Sequence, residues 1–164
     1  MIIELEGDVG VRIRSGEPRD VDAVLNLMRQ LAEHEGLGQF FELTSEALNQ
    51  FCFGMPRRIE LIVAETGGRI VGYATCMLQL SPWLGRDYLF LDDLYVSDEV
   101  RGSGIGSRLM RDVGALALER GVDVRWHVET ENRSAQRFYR ALGAELRDKS
   151  IAYWSTESIR AQSV

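Results

Sequence analysis

The sequence predicts a mixed α/β fold, in which one mixed sheet carries helices on both of its faces. Segments where apolar residues alternate with polar ones, or run without interruption, are typical of strands. Segments where apolar residues recur every three or four positions are typical of amphipathic helices, and glycines follow several of them. In chain order these segments follow the pattern β-α-α-β-β-β-α-β-α-β-β. Helices placed among the strands in this way are expected to cover both sides of one sheet.

The first half of the chain contains two predicted helices and four predicted strands. Alternation predicts a first strand over 9–14, and Asp20 is placed to cap a helix that ends at Gly36. Thr44 or Ser45 is expected to begin a shorter helix that runs to Phe51. The remaining predicted strands are 60–65, 69–77 and 88–96, with Gly67-Gly68 as a hairpin turn between the first two of these. The strand 88–96 is apolar almost throughout and is therefore predicted to be central.

The second half begins with a glycine-rich segment that leads into a helix. This helix is expected to end at Gly121 and carries one apolar face, formed by Ile105, Leu109, Val113, Leu116 and Ala117. A strand is predicted over 122–128. A further helix is expected to be capped by Asn132 or Ser134 and to end at Gly143. The tail from residue 144 to about 156 is predicted to form a final strand pair.

Size and composition predict a single domain over residues 1–164, with its core over about 9–156. The net charge of −6 disfavours nucleic acid and anionic membranes as partners. No apolar run is long enough to span a membrane, and residues 1–8 lack the pattern of a signal peptide. Cys52 and Cys76 lack metal-ligand spacing, so no metal site is expected. They are predicted to be free, packed thiols of a cytoplasmic protein.

The segment 91–109 is the most informative about chemistry. A predicted buried strand is followed by a short polar turn and then by Arg101-Gly102-Ser103-Gly104-Ile105-Gly106, which opens a helix. Backbone N–H groups at a helix N-terminus have no partner within the helix and suit a phosphate. The segment lacks both the Lys-Ser/Thr pair of a P-loop and the spacing of a dinucleotide-binding fingerprint. It therefore predicts another kind of phosphate-binding loop.

The motifs resemble those of the GNAT family of acetyl-CoA-dependent N-acetyltransferases. The loop 101–106 matches the family's R/Q-x-x-G-x-G/A motif, and residues 132–144 resemble its second signature, N-x-x-A-x-x-F-Y-x-x-x-G-F/A. Segments 31–35, 81–86 and 90–96 are similar to the diamine subgroup, which acts on spermidine, spermine or thialysine. The resemblance spans roughly residues 11–146. It implies a mostly antiparallel sheet of about six to seven strands, splayed between the fourth and fifth.

The resemblance also implies a binding site for acetyl-CoA. The loop amides are expected to face the pyrophosphate, and the backbone of the strand before the loop is expected to pair with the pantetheine arm. The implied cofactor-binding residues are Leu94, Tyr95, Val96, Arg101, Gly102, Ser103, Gly104, Ile105, Gly106, Ser107, Asn132, Ser134, Ala135 and Tyr139.

Two residues are candidates for proton transfer. Tyr139 stands where many relatives place the general acid that protonates the departing thiolate. Asp92 is a candidate base for the amine, directly or through water, although the subgroup usually has Glu-Asp where this chain has Asp92-Asp93. The other interpretation of this acidic pair is a hydrogen bond to the turn or a salt bridge with Arg86 or Arg101.

Five residues are candidates for binding the amine substrate: Trp83, Asp92, Asp93, Glu33 and Glu35. Trp83 can make a cation–π contact with an ammonium, or it can simply pack against apolar neighbours. His34 and His127 are interpreted as structural because neither has a partner that is visible in the sequence.

The sequence therefore predicts an enzyme that moves an acetyl group from acetyl-CoA directly to a small cationic amine. A polyamine, a diamine or a thialysine-like amino acid is the expected acceptor, and the subgroup implies a homodimer. An amino acid, an aminoglycoside or a protein N-terminus is an alternative acceptor. A non-catalytic acyl-CoA-binding module is an alternative of another class.

Overall fold

The computed structural model describes residues 10–162. The predicted strand start at Val9 and the segment 1–8 lie outside these residues. The chain divides into two compact units, the first ending at His127 and the second beginning at Val128. Within residues 10–162, no helix has both the length and the apolar character needed to cross a membrane.

The first unit contains five strands and three α-helices in its described residues. In chain order they are β1 (Arg12–Ser15), α1 (Val21–His34), α2 (Ser45–Phe53), β2 (Glu60–Thr66), β3 (Arg69–Ser81), β4 (Arg86–Val96), α3 (Ile105–Arg120) and β5 (Val124–Arg125). The predicted helices and the first four predicted strands of this unit are confirmed, with boundaries that shift by a few residues. The hydroxyl of Thr44 accepts a hydrogen bond from the backbone N–H of Ala47 and so caps α2.

The five strands form one sheet in the order β1-β2-β3-β4-β5. The pairs from β1 to β4 are antiparallel, while β4 and β5 are parallel. The β4–β5 pairing covers only Leu89 with Val124 and Phe90 with Arg125. The predicted mixed, mostly antiparallel sheet is confirmed, and the predicted divergence of its fourth and fifth strands corresponds to this short pairing.

Alternate residues of the strands divide the core into two layers, one on each face of the sheet. On one face, Leu61, Val63, Tyr73 and Tyr95 pack with the buried side chains of α1 and α2. On the other face, α3 packs on the intervening strand residues, and its buried residues are Ile105, Leu109, Val113 and Ala117. This two-sided packing follows from the two-residue period of a strand, which sends neighbouring side chains to opposite faces.

An ion cluster connects β1 to the start of α1 and to β2. The guanidinium of Arg14 donates to Asp20 at 2.6 Å and to Glu65 at 2.8 Å. Asp20 stands at the N-cap of α1, as predicted, but its side chain does not cap that helix. Instead it accepts from Arg14 and from the backbone N–H of Glu17. The hydrogen bond from Arg14 lowers the pKa of Asp20.

The second unit contains α4 (Arg133–Ala141) and α5 (Thr156–Gln162) in its described residues. The predicted strand over 122–128 is reduced to Val124–Arg125, and the predicted strand pair over 144–156 is wrong. Described residues thus form five strands rather than six to seven. An isolated strand pair is marginal in water without an apolar face to cover. In the tail, Ile151, Tyr153 and Trp154 are all exposed, so their apolar surfaces gain little from pairing.

Two leucines of α3 test the packing of the helix on the sheet. Leu109 is 0% exposed and Leu118 is 83% exposed. We expect Leu109→Ala to lower the free energy of unfolding by about 2–5 kcal/mol, because it leaves a cavity in the core. The matched variant Leu118→Ala is expected to change it by less than about 0.5 kcal/mol. Urea unfolding followed by circular dichroism measures both, and equal effects would contradict the packing described.

Candidate active site

A bulge in β4 brings two neighbouring carboxylates to the same face of the sheet. Asp93 pairs with Thr75 of β3, and Leu91 pairs with Cys76, so Asp92 is an extra residue between two paired ones. In a regular strand, Asp92 and Asp93 would point to opposite faces. The extra residue breaks this alternation. Both aspartates consequently line one cavity on the face covered by α1 and α2.

This cavity has a volume of about 270 Å³ and lies within the first unit. Its polar lining consists of Glu35, Thr75, Asp92 and Asp93. The rest of its lining is apolar and comes from α1, α2, the connection between them and the start of β2: Met28, Leu31, Ala32, Leu37, Phe41, Leu43, Leu48, Phe51 and Ile59. A cavity with three carboxylates and no basic side chain favours a cation.

Asp93 is the more strongly perturbed of the two aspartates. Loss of water is the largest cause, and together with the negative charges of Asp92 and Glu35 it raises the pKa of this carboxyl to about 6. The hydroxyl of Tyr73 donates a hydrogen bond to Oδ2 of Asp93 at 3.4 Å and acts in the opposite direction. The backbone N–H of Asp93 donates to Oγ1 of Thr75 at 3.2 Å. Asp93 is thus oriented by β3 and gains or loses its proton near pH 6.

Asp92 lies exposed on the bulge. Partial desolvation raises the pKa of its carboxyl, and the imidazole of His127 lowers it. The ring of His127 packs edge-on against Phe90 at a centroid distance of 5.2 Å. Neither aspartate forms the salt bridge considered from sequence, since Arg86 pairs with Asp123 and Arg101 with Asp98.

The glycine loop forms an open cradle at the N-terminus of α3. Gly102 and Gly104 both have φ of +81°, a conformation that L side chains rarely adopt. A Cβ atom at either position would meet no atom within 4 Å, so the space beside the backbone is open. No side chain caps α3 at Gly104. The first amides of a sixteen-residue helix are therefore available to an anion, which is what a pyrophosphate requires.

Arg101 and Ser103 brace this loop from within. The guanidinium of Arg101 donates to the carbonyl oxygen of Val96 at 3.0 Å and lies 5.1 Å from the ring centre of Tyr95. The hydroxyl of Ser103 donates to the carbonyl oxygen of Val100 at 2.6 Å. The loop is thereby attached to the end of β4.

The same strand has an unpaired edge directly before the loop. Beyond Phe90, β4 has no strand partner on the β5 side within residues 10–162. This stretch contains Leu94, Tyr95 and Val96. Its other edge pairs with β3, where Tyr73 lies opposite the buried Tyr95. An unpaired strand edge can bind an extended amide-containing ligand through its backbone groups.

In the second unit, the second signature forms α4. The side chain of Asn132 accepts a hydrogen bond from the backbone N–H of Ala135 and caps the helix, so Asn132 rather than Ser134 is the cap. Gln136 donates to the carbonyl oxygens of Glu129 and Thr130. Tyr139 is buried, and burial raises the pKa of its phenol, which keeps it protonated at neutral pH.

Two predicted substrate residues do not line the cavity. Trp83 is 98% exposed in the connection between β3 and β4, and Glu33 is exposed on α1. Conversely, sequence reasoning missed Tyr73 and Thr75 as partners of Asp93. Only the register of β3 against β4 shows that these hydroxyls face an aspartate, although Thr75 interrupts the mainly apolar run 70–77 and could have been marked as unusual for that reason.

The geometry agrees with comparisons to known proteins. The profile of the acetyltransferase (GNAT) family matches residues 24–144. A thialysine N-epsilon-acetyltransferase from Bos taurus is 36% identical over 144 residues, covering 82% of this chain and 84% of that protein. A spermidine/spermine N(1)-acetyltransferase-like protein from Homo sapiens is 27% identical and covers 81% of this chain, but only 20% of its own length is matched.

A solved structure supports the same fold. An aminoglycoside acetyltransferase from an uncultured soil metagenomic sample superposes with a TM-score of 0.77 at 20% identity, covering 92% of this chain and 99% of that one. The profile match spans most of the chain. Of the two signatures, one forms the loop that opens α3 and the other forms the capped helix α4. The chain therefore belongs to the GNAT family of acetyltransferases.

Proposed function

We propose that the protein transfers the acetyl group of acetyl-CoA directly to the primary amine of a small cationic molecule. The observation that carries the proposal is the β4 bulge, which directs two carboxylates into one cavity from a strand whose other edge is unpaired. An ammonium at the carboxylates and an acyl donor along the strand edge would both contact β4. A polyamine, a diamine or a thialysine-like amino acid is the proposed acceptor, in keeping with the names of the relatives.

The cradle and the strand edge are the proposed binding surface for coenzyme A. The amides of the residues from Gly102 to Ser107 would bind the pyrophosphate, and the backbone of Leu94, Tyr95 and Val96 would bind the pantetheine arm. The remaining proposed cofactor-binding residues belong to the second signature and are Asn132, Ser134, Ala135 and Tyr139. When bound, acetyl-CoA supplies an activated thioester.

Asp92 is proposed to accept the proton that the ammonium must lose before it attacks. Its exposed carboxylate on the bulge leaves space for an intervening water, which suits a side chain one methylene shorter than glutamate. Asp93 and Glu35 are proposed to hold the ammonium by charge. The amine nitrogen then forms a bond to the acetyl carbon, and the carbon–sulfur bond breaks.

Tyr139 is proposed to protonate the departing sulfur, since burial keeps its phenol neutral. Transfer is direct, without an acetylated cysteine. Burial raises the pKa of Cys52 to about 11 and that of Cys76 to about 12, so neither is a thiolate at neutral pH. We further propose a cytoplasmic homodimer, as the diamine subgroup suggests.

Two glycines at opposite ends of α3 test the cofactor cradle. Gly104 and Gly121 both have positive φ and open space beside the backbone, so alanine strains both to a similar extent, about 1 kcal/mol or more. We expect Gly104→Ala to raise the Kd for coenzyme A at least tenfold, because it displaces the first amides of the helix. Gly121→Ala is the matched control and should leave Kd unchanged by calorimetry. An equal loss in both variants would contradict the assigned cradle.

The charge on Asp93 predicts a pH dependence. Its carboxyl is ionised above a pKa of about 6 and binds an ammonium only in that form. We therefore expect kcat/KM to fall as the pH drops below about 6. Glu35→Gln removes a negative charge that raises this pKa, and the break should therefore move to lower pH. Glu42→Gln changes an exposed carboxylate that does not line the cavity and should leave the break in place. A break that is the same in all three proteins would contradict the assignment.

Release of free coenzyme A tests the proposed function as a whole. The purified protein is mixed with acetyl-CoA and a panel of polyamines, thialysine, amino acids and aminoglycosides, and the thiol is detected by absorbance. Release that depends on a polyamine, a diamine or thialysine is expected. Tight binding of coenzyme A without release for any amine would instead support a non-catalytic module.

In the same assay, Tyr139→Phe is expected to lower kcat by about 10²-fold or more, because the thiolate loses its proton donor. Tyr153→Phe, at an exposed tyrosine of the same unit, is the control and should retain wild-type turnover. Unchanged turnover in Tyr139→Phe would remove Tyr139 from the reaction.

A further inference from the structure

The three carboxylates of the cavity differ in how firmly they are held. Asp93 is half-buried, whereas Asp92 and Glu35 are exposed. Within residues 10–162, the carboxylate of Asp93 accepts a hydrogen bond from another side chain, and the carboxylates of Asp92 and Glu35 do not. An ammonium in the cavity would therefore meet one fixed carboxylate and two that can change conformation.

The side chain that fixes Asp93 lies beneath the cavity. Tyr73 is 0% exposed and packs in the core layer with Leu61 and Val63. Its ring centre lies 6.4 Å from that of Tyr95, and it is not among the residues that line the cavity. A side chain without exposed surface cannot contact an acceptor. Tyr73 can therefore act on an acceptor only through Asp93, to which its hydroxyl donates a hydrogen bond at 3.4 Å.

The hydroxyl of Tyr73 is a constant donor. Burial raises the pKa of its phenol above the usual value, and the neighbouring carboxylates, that of Asp93 first, add to the rise. The phenol consequently keeps its proton at neutral pH and above. The backbone N–H of Asp93 is held from the same strand, since it donates to Oγ1 of Thr75 at 3.2 Å. Two hydroxyls of β3 thus fix the backbone and the carboxylate of one aspartate.

We propose that Tyr73 is a positioning residue, which holds the carboxylate of Asp93 towards the cavity as the fixed binding point for the ammonium of the acceptor. The inference rests on the proposed function and adds a residue to it. A carboxylate that rotates freely must be ordered whenever an ammonium binds, at a cost in conformational entropy. A donor behind the carboxylate also favours its charged form, which attracts an ammonium. Tyr73 thus acts on the binding of the amine.

The groups that face Asp93 act on its charge in opposite directions. Asp92 on β4 and Glu35 directly after α1 repel it, while the hydroxyl of Tyr73 on β3 stabilises it. The lining residues that come from α2 and from the connection between α1 and α2 carry no charge. Loss of the Tyr73 hydroxyl leaves the repulsion unopposed, so the pKa of Asp93 should rise above its value of about 6.

Tyr73→Phe tests the proposal, because it removes the hydroxyl and keeps the buried ring. The acceptor is spermidine, 1,5-diaminopentane or thialysine, whichever releases coenzyme A fastest with the wild-type protein. At pH 7 we expect KM for this amine to rise about threefold to tenfold, as for the loss of one hydrogen bond, and kcat to change less. The Kd for coenzyme A and the melting temperature, measured in parallel, should stay close to wild type.

The pH profile separates positioning of Asp93 from a general disturbance of the core. The fall of kcat/KM at low pH should begin at a higher pH in Tyr73→Phe than in the wild-type protein. The difference between the two proteins should shrink at pH 8.5, where Asp93 is ionised in both. Glu35→Gln added to Tyr73→Phe removes a repulsion and should move the break back towards lower pH.

Tyr88→Phe is the matched control. The hydroxyl of Tyr88 donates to Oε1 of Gln79 across the same pair of strands, and neither residue lines the cavity. This variant should keep the wild-type KM and pH profile.

The outcomes separate this inference from the function on which it rests. An unchanged KM and pH profile in Tyr73→Phe would overturn the positioning role and leave the proposed acetyltransferase intact. A loss that does not vary with pH, or that Tyr88→Phe shares, would overturn it as well. If the wild-type protein releases no coenzyme A with any amine, both the function and the inference fail. A rise in KM that shrinks at high pH supports both.

Discussion

One extra residue in β4 determines the chemistry available to this protein. Without it, Asp92 and Asp93 would point to opposite faces, and one carboxylate would enter the layer packed by α3. That layer is made of aliphatic side chains, where an unpaired charge costs several kcal/mol. The bulge removes this conflict by turning both carboxylates to the face of α1 and α2, where a cavity admits solvent or a ligand.

The pairing of β4 with its neighbours also differs before and after the bulge. Before the bulge, Leu89 and Phe90 of β4 pair with β5 as well as with β3, and after the bulge the β5 side is open. Asp93 is nevertheless well placed, because Tyr73 and Thr75 of β3 hold its carboxylate and its backbone N–H. Because β3 pairs with one edge of β4 and the other edge is open, β4 can hold charged side chains in place and also expose its backbone groups to a ligand. The loop that follows is attached to the strand end through Arg101 and Ser103.

Much of the fold could be predicted from local patterns. The helical spacing of α1 and α3 and the apolar strands β2, β3 and β4 lie where the sequence predicts them, since each pattern reflects burial on one or two faces. The strand pair predicted for the tail is wrong, because a strand pair is stable only where a partner and a covered apolar face exist. Exposed Ile151, Tyr153 and Trp154 have neither in the described residues.

The sequence by itself determined the family and the glycine loop that opens α3, because both are encoded over a few neighbouring residues. Positive φ at Gly102 and Gly104 needs glycine locally, and the cap of α4 needs Asn132 three residues before the amide it binds. Only the tertiary structure decided which side chains surround the acidic pair. Glu35, Leu37 and Phe41 are far from Asp93 in the chain and line one cavity with it through helix packing. Strand register brings the hydroxyl of Tyr73 to the carboxylate of Asp93. Contacts between distant segments follow from the register and packing of whole elements, which local patterns do not specify.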